Sequence, residues 1–174
     1  PSMEERRRIA GLYVSLKEYA RALGVLERLV EEKPKDAGLL LDLVSAAAGA
    51  KDRTLALSSL ERVRGLKPGP DQRGRMALLY QQVGEYGPAL EILDGLIQEN
   101  PSEARYLNDR GVVKALMGRR EEAMKDLRAA LGLEPGFLPA VLTLGGLYVS
   151  EGRTGEAREI FDRALSRPPS QQER

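Results

Sequence analysis

Five prolines recur along the chain at nearly one interval: Pro34, Pro68, Pro101, Pro135 and Pro169, separated by 34, 33, 34 and 34 residues. A period of this length constrains the fold more than any other feature, because it means one small supersecondary unit copied along the chain, not a single globular core. Twelve residues before each proline stands an alanine: Ala22, Ala56, Ala89, Ala123 and Ala157. Eight before come Leu26, Leu60, Leu93, Leu127 and Phe161, and five before come Leu29, Val63, Leu96, Ala130 and Ala164. Twenty-four before come the small or modest residues Ala10, Val44, Ala77, Gly111 and Gly145, and twenty-one before come Tyr13, Ala47, Tyr80, Lys114 and Tyr148. Seventeen before come Lys17, Lys51, Gly84, Gly118 and Gly152.

Each column has a physical reason. Apolar residues three and four apart lay one stripe along a helix, and this happens twice per repeat. The glycine column marks where the first helix of each pair must end in a left-handed residue. Small residues let two helix axes approach, with large apolar side chains filling around them. The closing proline cannot continue a helix and starts the turn into the next repeat. Pro88 and Pro139 fall in the first turn of predicted helices, where the missing N–H has no intrahelical partner to lose.

Composition removes many chemistries. Among 174 residues there is no Cys and no His, which leaves no disulfide, thiolate nucleophile, zinc finger, haem ligand or Ser–His pair. Aromatic residues are 5%, with no Trp, so the core is built from Leu, Ala, Val and Ile. A net charge of +1 gives no support for a nucleic-acid or acidic-lipid binder. No stretch reaches the ~18 apolar residues of a membrane span, so direct membrane insertion is not expected. Acidic pairs such as Glu31/Glu32 and Glu121/Glu122 lie near helix ends as solvated charge, and no cluster converges as a catalytic site requires. The expectation is a non-enzymatic chain with no cofactor and no metal. The preference for Arg (20) over Lys (7), with much Ala, Leu and Gly, suggests a GC-rich bacterial source, cytoplasmic or periplasmic.

The pattern resembles the tetratricopeptide repeat, a 34-residue helix–turn–helix unit, over roughly residues 3–171. Gly84-Glu85-Tyr86-Gly87-Pro88-Ala89-Leu90 and Gly152-Arg153-Thr154-Gly155-Glu156-Ala157 are close to its turn and second-helix signature. Departures are local. Leu40, Leu107 and Val141 replace the usual first-helix aromatic, Lys17 and Lys51 replace the turn glycine, and the junction Pro68-Gly69-Pro70-Asp71 is one residue short. The resemblance implies an all-α, right-handed solenoid of five hairpins (3–36, 37–70, 71–103, 104–137, 138–171) forming a single domain, with residues 167–174 as a disordered tail.

It also implies that the first helices line a concave groove. Helical spacing places there Arg7, Arg8, Val14, Leu41, Asp42, Arg75, Leu78, Gln81, Gln82, Arg105, Asn108, Asp109, Val112, Leu142 and Val149. The apolar members suggest a floor for a peptide or partner helix, and the Arg and Asp members suggest recognition of charge on it. Some relatives clamp a chaperone carboxylate with two Asn and several basic residues. No register of this chain keeps that Asn pair: the corresponding places hold Gly11 and Asp42, Ser45 and Arg75, or Leu78 and Asp109. The expected function is a protein-interaction scaffold binding a protein or peptide partner. The alternative is a homo-oligomeric assembly module, since the fifth repeat carries no evident polar cap and its second helix leaves an apolar side open to self-association.

Overall fold

The computed structural model describes residues 1–166; the predicted tail lies outside the described residues. Among them are ten helices and no strand: α1 (Met3–Ser15), α2 (Tyr19–Glu32), α3 (Ala37–Gly49), α4 (Arg53–Gly65), α5 (Pro70–Gln82), α6 (Tyr86–Glu99), α7 (Ala104–Leu116), α8 (Arg120–Leu133), α9 (Leu138–Ser150) and α10 (Thr154–Leu165). The first helix of each hairpin therefore starts at 3, 37, 70, 104 and 138. The third begins one residue before the expected repeat boundary at 71, at the same distance from its closing proline as the others. Gly69 takes the N-cap position and Pro70 the first helical position, which absorbs the missing residue of that junction.

Local chemistry sets the helix ends. Ser2 and Glu5 form a capping box on α1, and the Asp36 and Asp52 side chains accept from the Leu39 and Leu55 N–H groups. The turn inside every hairpin closes by one hydrogen bond, from Glu18, Asp52, Glu85, Arg119 and Arg153 N–H to the carbonyls of Tyr13, Ala47, Tyr80, Lys114 and Tyr148, at 2.8–2.9 Å. A second bond, from Lys17, Lys51, Gly84, Gly118 and Gly152 N–H to the carbonyl three residues back, completes a Schellman motif in all five. That motif needs a left-handed residue. Gly84, Gly118 and Gly152 supply it at φ 74–80°, and Lys17 and Lys51 adopt φ 60° and 62° without the glycine advantage.

The helices group into two compact units, residues 1–92 and the remainder from Leu93. In the first unit α1 packs on α2, α2 on α3, α3 on α4, and the first helices α1, α3 and α5 pack on one another through α3. Its core holds Ala10, Leu26, Leu29, Leu40, Val44, Leu60, Val63 and Ala77. In the second, α7 packs on α8 and α9 on α10, around Leu107, Met124, Leu127, Leu144 and Tyr148. All five column alanines are 0–2% exposed, as close helix approach requires. The glycine column shows the same logic: a Cβ at Gly111 would lie 2.9 Å from Leu127 Cγ, and one at Gly145 would overlap the Phe161 ring. The bulkier Phe161 stands opposite a residue with no side chain.

Candidate functional site: a cup across three first helices

In the first unit, α1, α3 and α5 each send one charged side chain to a common point. The Asp42 carboxylate of α3 accepts from Arg7 Nε of α1 at 2.6 Å through one oxygen, and from an Arg75 terminal nitrogen of α5 at 2.9 Å through the other. The pairing holds the Arg7 guanidinium more firmly charged than usual, the Asp42 hydrogen bond outweighing partial burial. Around this bridge opens a cavity of about 270 Å³ whose wall includes Glu4, Arg8, Gly11, Val14 and Ser45. Arg8 is exposed at its rim and makes no ion pair among the described residues. Three cations thus face two anions. Arg7 and Arg75 are already fixed in orientation, and each guanidinium retains N–H donors that Asp42 does not occupy.

The sequence-predicted groove residues divide sharply. Arg7, Arg8, Val14, Asp42 and Arg75 come together around this cup. On α5, Leu78 is 46% exposed one turn beyond Arg75, and Gln82 is exposed beyond it. Gln81 is half-buried, with its Oε1 buried and unpartnered among the described residues. Leu41 is 0% exposed and is core, not groove floor, because α3 has α1, α2, α4 and α5 around it and retains little free surface. In the second unit Asn108 is 6% exposed and also leaves the groove set; its amide donates to Asp109 Oδ1 at 3.1 Å, and its own Oδ1 is buried without a partner among the described residues. Asp109 is half-buried, and burial raises its carboxyl above the ordinary value despite that bond and nearby Arg105. Arg105 is exposed and lies 5.1 Å from the Tyr106 ring centroid, and Val112 is half-buried. Leu142 and Val149, 58% and 54% exposed, share one face of α9.

Sequence reasoning missed an ionic cluster in the second unit. Arg110 of α7 donates two bonds of 2.8 Å to Asp126 of α8, Lys114 adds one of 2.7 Å, and Arg110 also reaches Asp94 of α6 at 2.7 Å. Burial pushes the Asp126 carboxyl up, but the bonds from Arg110 and Lys114 outweigh it and hold the group below its usual value. The signal was present: Lys114 occupies the column of Tyr13, Tyr80 and Tyr148, and Arg110 precedes it by one helical turn on a face that is otherwise apolar. The same unit carries a second groove of about 540 Å³, lined in part by Arg128, Leu131, Tyr148, Ile160 and Arg163, with Arg128 Nε 3.1 Å from the Tyr148 hydroxyl.

Hairpins of one length, each closed by the same turn and packed on its neighbour within each unit, define a helical-repeat protein. Two family models, both described as tetratricopeptide repeat, match residues 75–136 and 115–174, and the chain belongs to that family. Anaphase-promoting complex subunit 7 of Arabidopsis thaliana is 37% identical over 87 residues, 49% of this chain and 16% of that protein. Small glutamine-rich tetratricopeptide repeat-containing protein 2 of Mycosarcoma maydis is 30% identical over 86 residues, 49% of this chain and 24% of that protein. The chain thus spans less than a quarter of the length of these curated relatives. Among solved structures, TTC0263, a thermophilic TPR protein in Thermus thermophilus, is 26% identical with a TM-score of 0.73, covering 99% of this chain and 94% of that one. The fold is accordingly an all-α tetratricopeptide solenoid, of a family whose members generally mediate protein–protein interaction. No helix among the described residues is long and apolar enough to cross a membrane.

Proposed function

We propose that this chain is a non-enzymatic interaction module whose first unit grips an extended or helical segment of a partner polypeptide, with an acidic side chain or terminal carboxylate of that segment seated in the cup. One observation carries the reading: Asp42 pairs with both Arg7 and Arg75, while Arg8 at the rim makes no ion pair among the described residues. An arriving carboxylate meets pre-oriented donors, so little side-chain entropy remains to be lost on binding. Val14 in the wall of the cup and Leu78, exposed one turn beyond Arg75 on α5, supply apolar contact. The Asp42 carboxylate repels a badly placed acid and thereby selects the orientation of the segment.

The test is a random-peptide display selection on the wild-type chain, followed by fluorescence anisotropy of the enriched peptides. Selected peptides should carry Asp or Glu beside an apolar residue and weaken as salt rises. Arg8→Ala and Arg75→Ala should each reduce affinity by about tenfold to a hundredfold, the worth of one charge-assisted hydrogen bond. Far-UV circular dichroism should be unchanged, because both residues are exposed. Peptides without acidic residues, or affinities indifferent to both substitutions, would dismiss the cup as the binding site.

A further inference from the structure

Four aspartates among the described residues are half-buried or buried: Asp36, Asp42, Asp109 and Asp126. Three of them have a use for their charge within the fold. Asp36 caps α3 by accepting from the Leu39 N–H, Asp42 pairs with Arg7 and Arg75, and Asp126 pairs with Arg110 and Lys114. Asp109 has no such use. It accepts one hydrogen bond, from the Asn108 amide at 3.1 Å, and forms no ion pair among the described residues. Burial outweighs both that bond and the nearby Arg105 charge, so its carboxyl is raised, the mark of an anion short of compensation. Asn108 beside it is buried with its own Oδ1 unpartnered, so two adjacent residues of α7 lack donors. The repeat gives this place a meaning. Asp109 stands 26 residues before its closing proline, in the column of Arg8, Asp42 and Arg75, whose side chains meet around the cup in the first unit. On α9 that column holds Thr143, whose hydroxyl donates to the Pro139 carbonyl at 2.8 Å and is thereby committed elsewhere.

We infer that Asp109 receives a lysine or arginine side chain of a partner polypeptide, with Asn108 as the residue that positions its carboxylate. A basic side chain supplies what the fold withholds: a positive charge, and N–H donors for the carboxylate oxygen that Asn108 does not engage. Its aliphatic stem has apolar surface to cover at Val112, one turn along α7, and at the exposed Leu142 of α9, which packs on α7. Asparagine at position 109 would keep the size of the side chain and remove the cost of withdrawing a charge from water. Retention of the charge is therefore explained by recognition and not by stability. The inference shares with the proposed function only that the partner is a polypeptide; the unit, the residues and the sign of the charge all differ.

The test runs random-peptide display on three full chains: wild type, the cup variant Arg8→Ala/Arg75→Ala, and Asp109→Asn. Lys or Arg should be enriched in peptides from the first two and not from the third. Enrichment of Asp or Glu reports on the cup alone, so the two readings stand or fall separately. One enriched basic peptide and a copy with Lys replaced by Gln, or Arg by citrulline, are then compared by fluorescence anisotropy. Asp109→Asn should weaken the basic peptide by about tenfold to a hundredfold and leave the neutral copy unchanged. The urea midpoint of Asp109→Asn should equal or exceed that of wild type, which a purely structural role would not allow. Peptides from the wild-type chain without enriched Lys or Arg overturn the inference, as does equal weakening of the basic and neutral peptides. A lowered urea midpoint in Asp109→Asn also overturns it, by assigning the charge to the fold.

Discussion

Replacing Gly145 with alanine should destabilise the protein, although the same change in the middle of a helix ordinarily does the opposite. The neighbouring residue provides the reference. Gly146 is exposed on α9, and a Cβ added there meets nothing within 4 Å. Alanine at Gly146 should realise the intrinsic helical preference over glycine, about 1 kcal/mol. At Gly145 an added Cβ falls on Cζ and Cε1 of Phe161, inside the 3.0 Å that carbon contacts keep. The ring must retreat by about 1 Å or more to reach an ordinary carbon–carbon separation. It sits against the core cluster of the second unit and has little room to do so. Overpacking of this kind costs about 1–3 kcal/mol, which outweighs the helical gain and leaves a net loss of about 1 kcal/mol. For a chain of this length that lowers the melting temperature by about 2–4 °C, while Gly146→Ala should raise it by a similar amount. Phe161→Leu restores the residue that the column holds in the other four repeats, so in the double variant Gly145→Ala should cease to be harmful, with a coupling energy of about 1–3 kcal/mol. Thermal and urea unfolding followed by circular dichroism give the four corners of the cycle, and hydrogen exchange of the α9 and α10 amides locates the effect. Parallel gains at Gly145 and Gly146, or a Phe161→Leu change that merely adds to Gly145→Ala, would show that the close approach has no energetic weight.

Two further outcomes follow from the turns and the ionic cluster. Lys17 and Lys51 adopt left-handed backbone that costs an L-residue about 1 kcal/mol, so Lys17→Gly and Lys51→Gly should each stabilise by about that amount and add when combined; Lys35→Gly serves as the control, and a double variant with a lower urea midpoint than wild type would refute the account. Asp126→Asn leaves Arg110 and Lys114, 21% and 13% exposed, without their shared carboxylate and should destabilise by about 3 kcal/mol at neutral pH. The Asp126 value is depressed in the folded state, so this stabilisation is complete above the unfolded carboxyl value, near 3.8, and is lost as pH falls through the folded value below it. Urea midpoints of the two proteins should therefore converge in strong acid, and a gap that persists there would place the effect outside the ionisation.

The helical hairpins and the position of every internal turn were legible in the sequence, because each is set by rules acting over a few residues. A capping side chain at Asp36 or Asp52, the Schellman turn at Gly84, Gly118 and Gly152 and the alanine column are local demands that recur with the period. Even the two lysines in the turn column were placed correctly, because the surrounding hydrogen bonds fix the conformation whatever the side chain. The candidate site was legible only in part. Spacing along a helix names the residues on one face but not how wide a strip of that face its neighbours cover. Leu41 and Leu78 occupy comparable inward positions by spacing, yet one is sealed and the other is 46% exposed. The sequence by itself determined what repeats and where each repeat turns, since backbone hydrogen bonding and helix periodicity are short-range. Tertiary packing alone decided that one Asp42 carboxylate joins Arg7 to Arg75, that Asn108 is buried and that Asp126 gathers Arg110 and Lys114. Those arrangements depend on distances between different helices, joining residues 12 to 35 positions apart, which no single helix encodes.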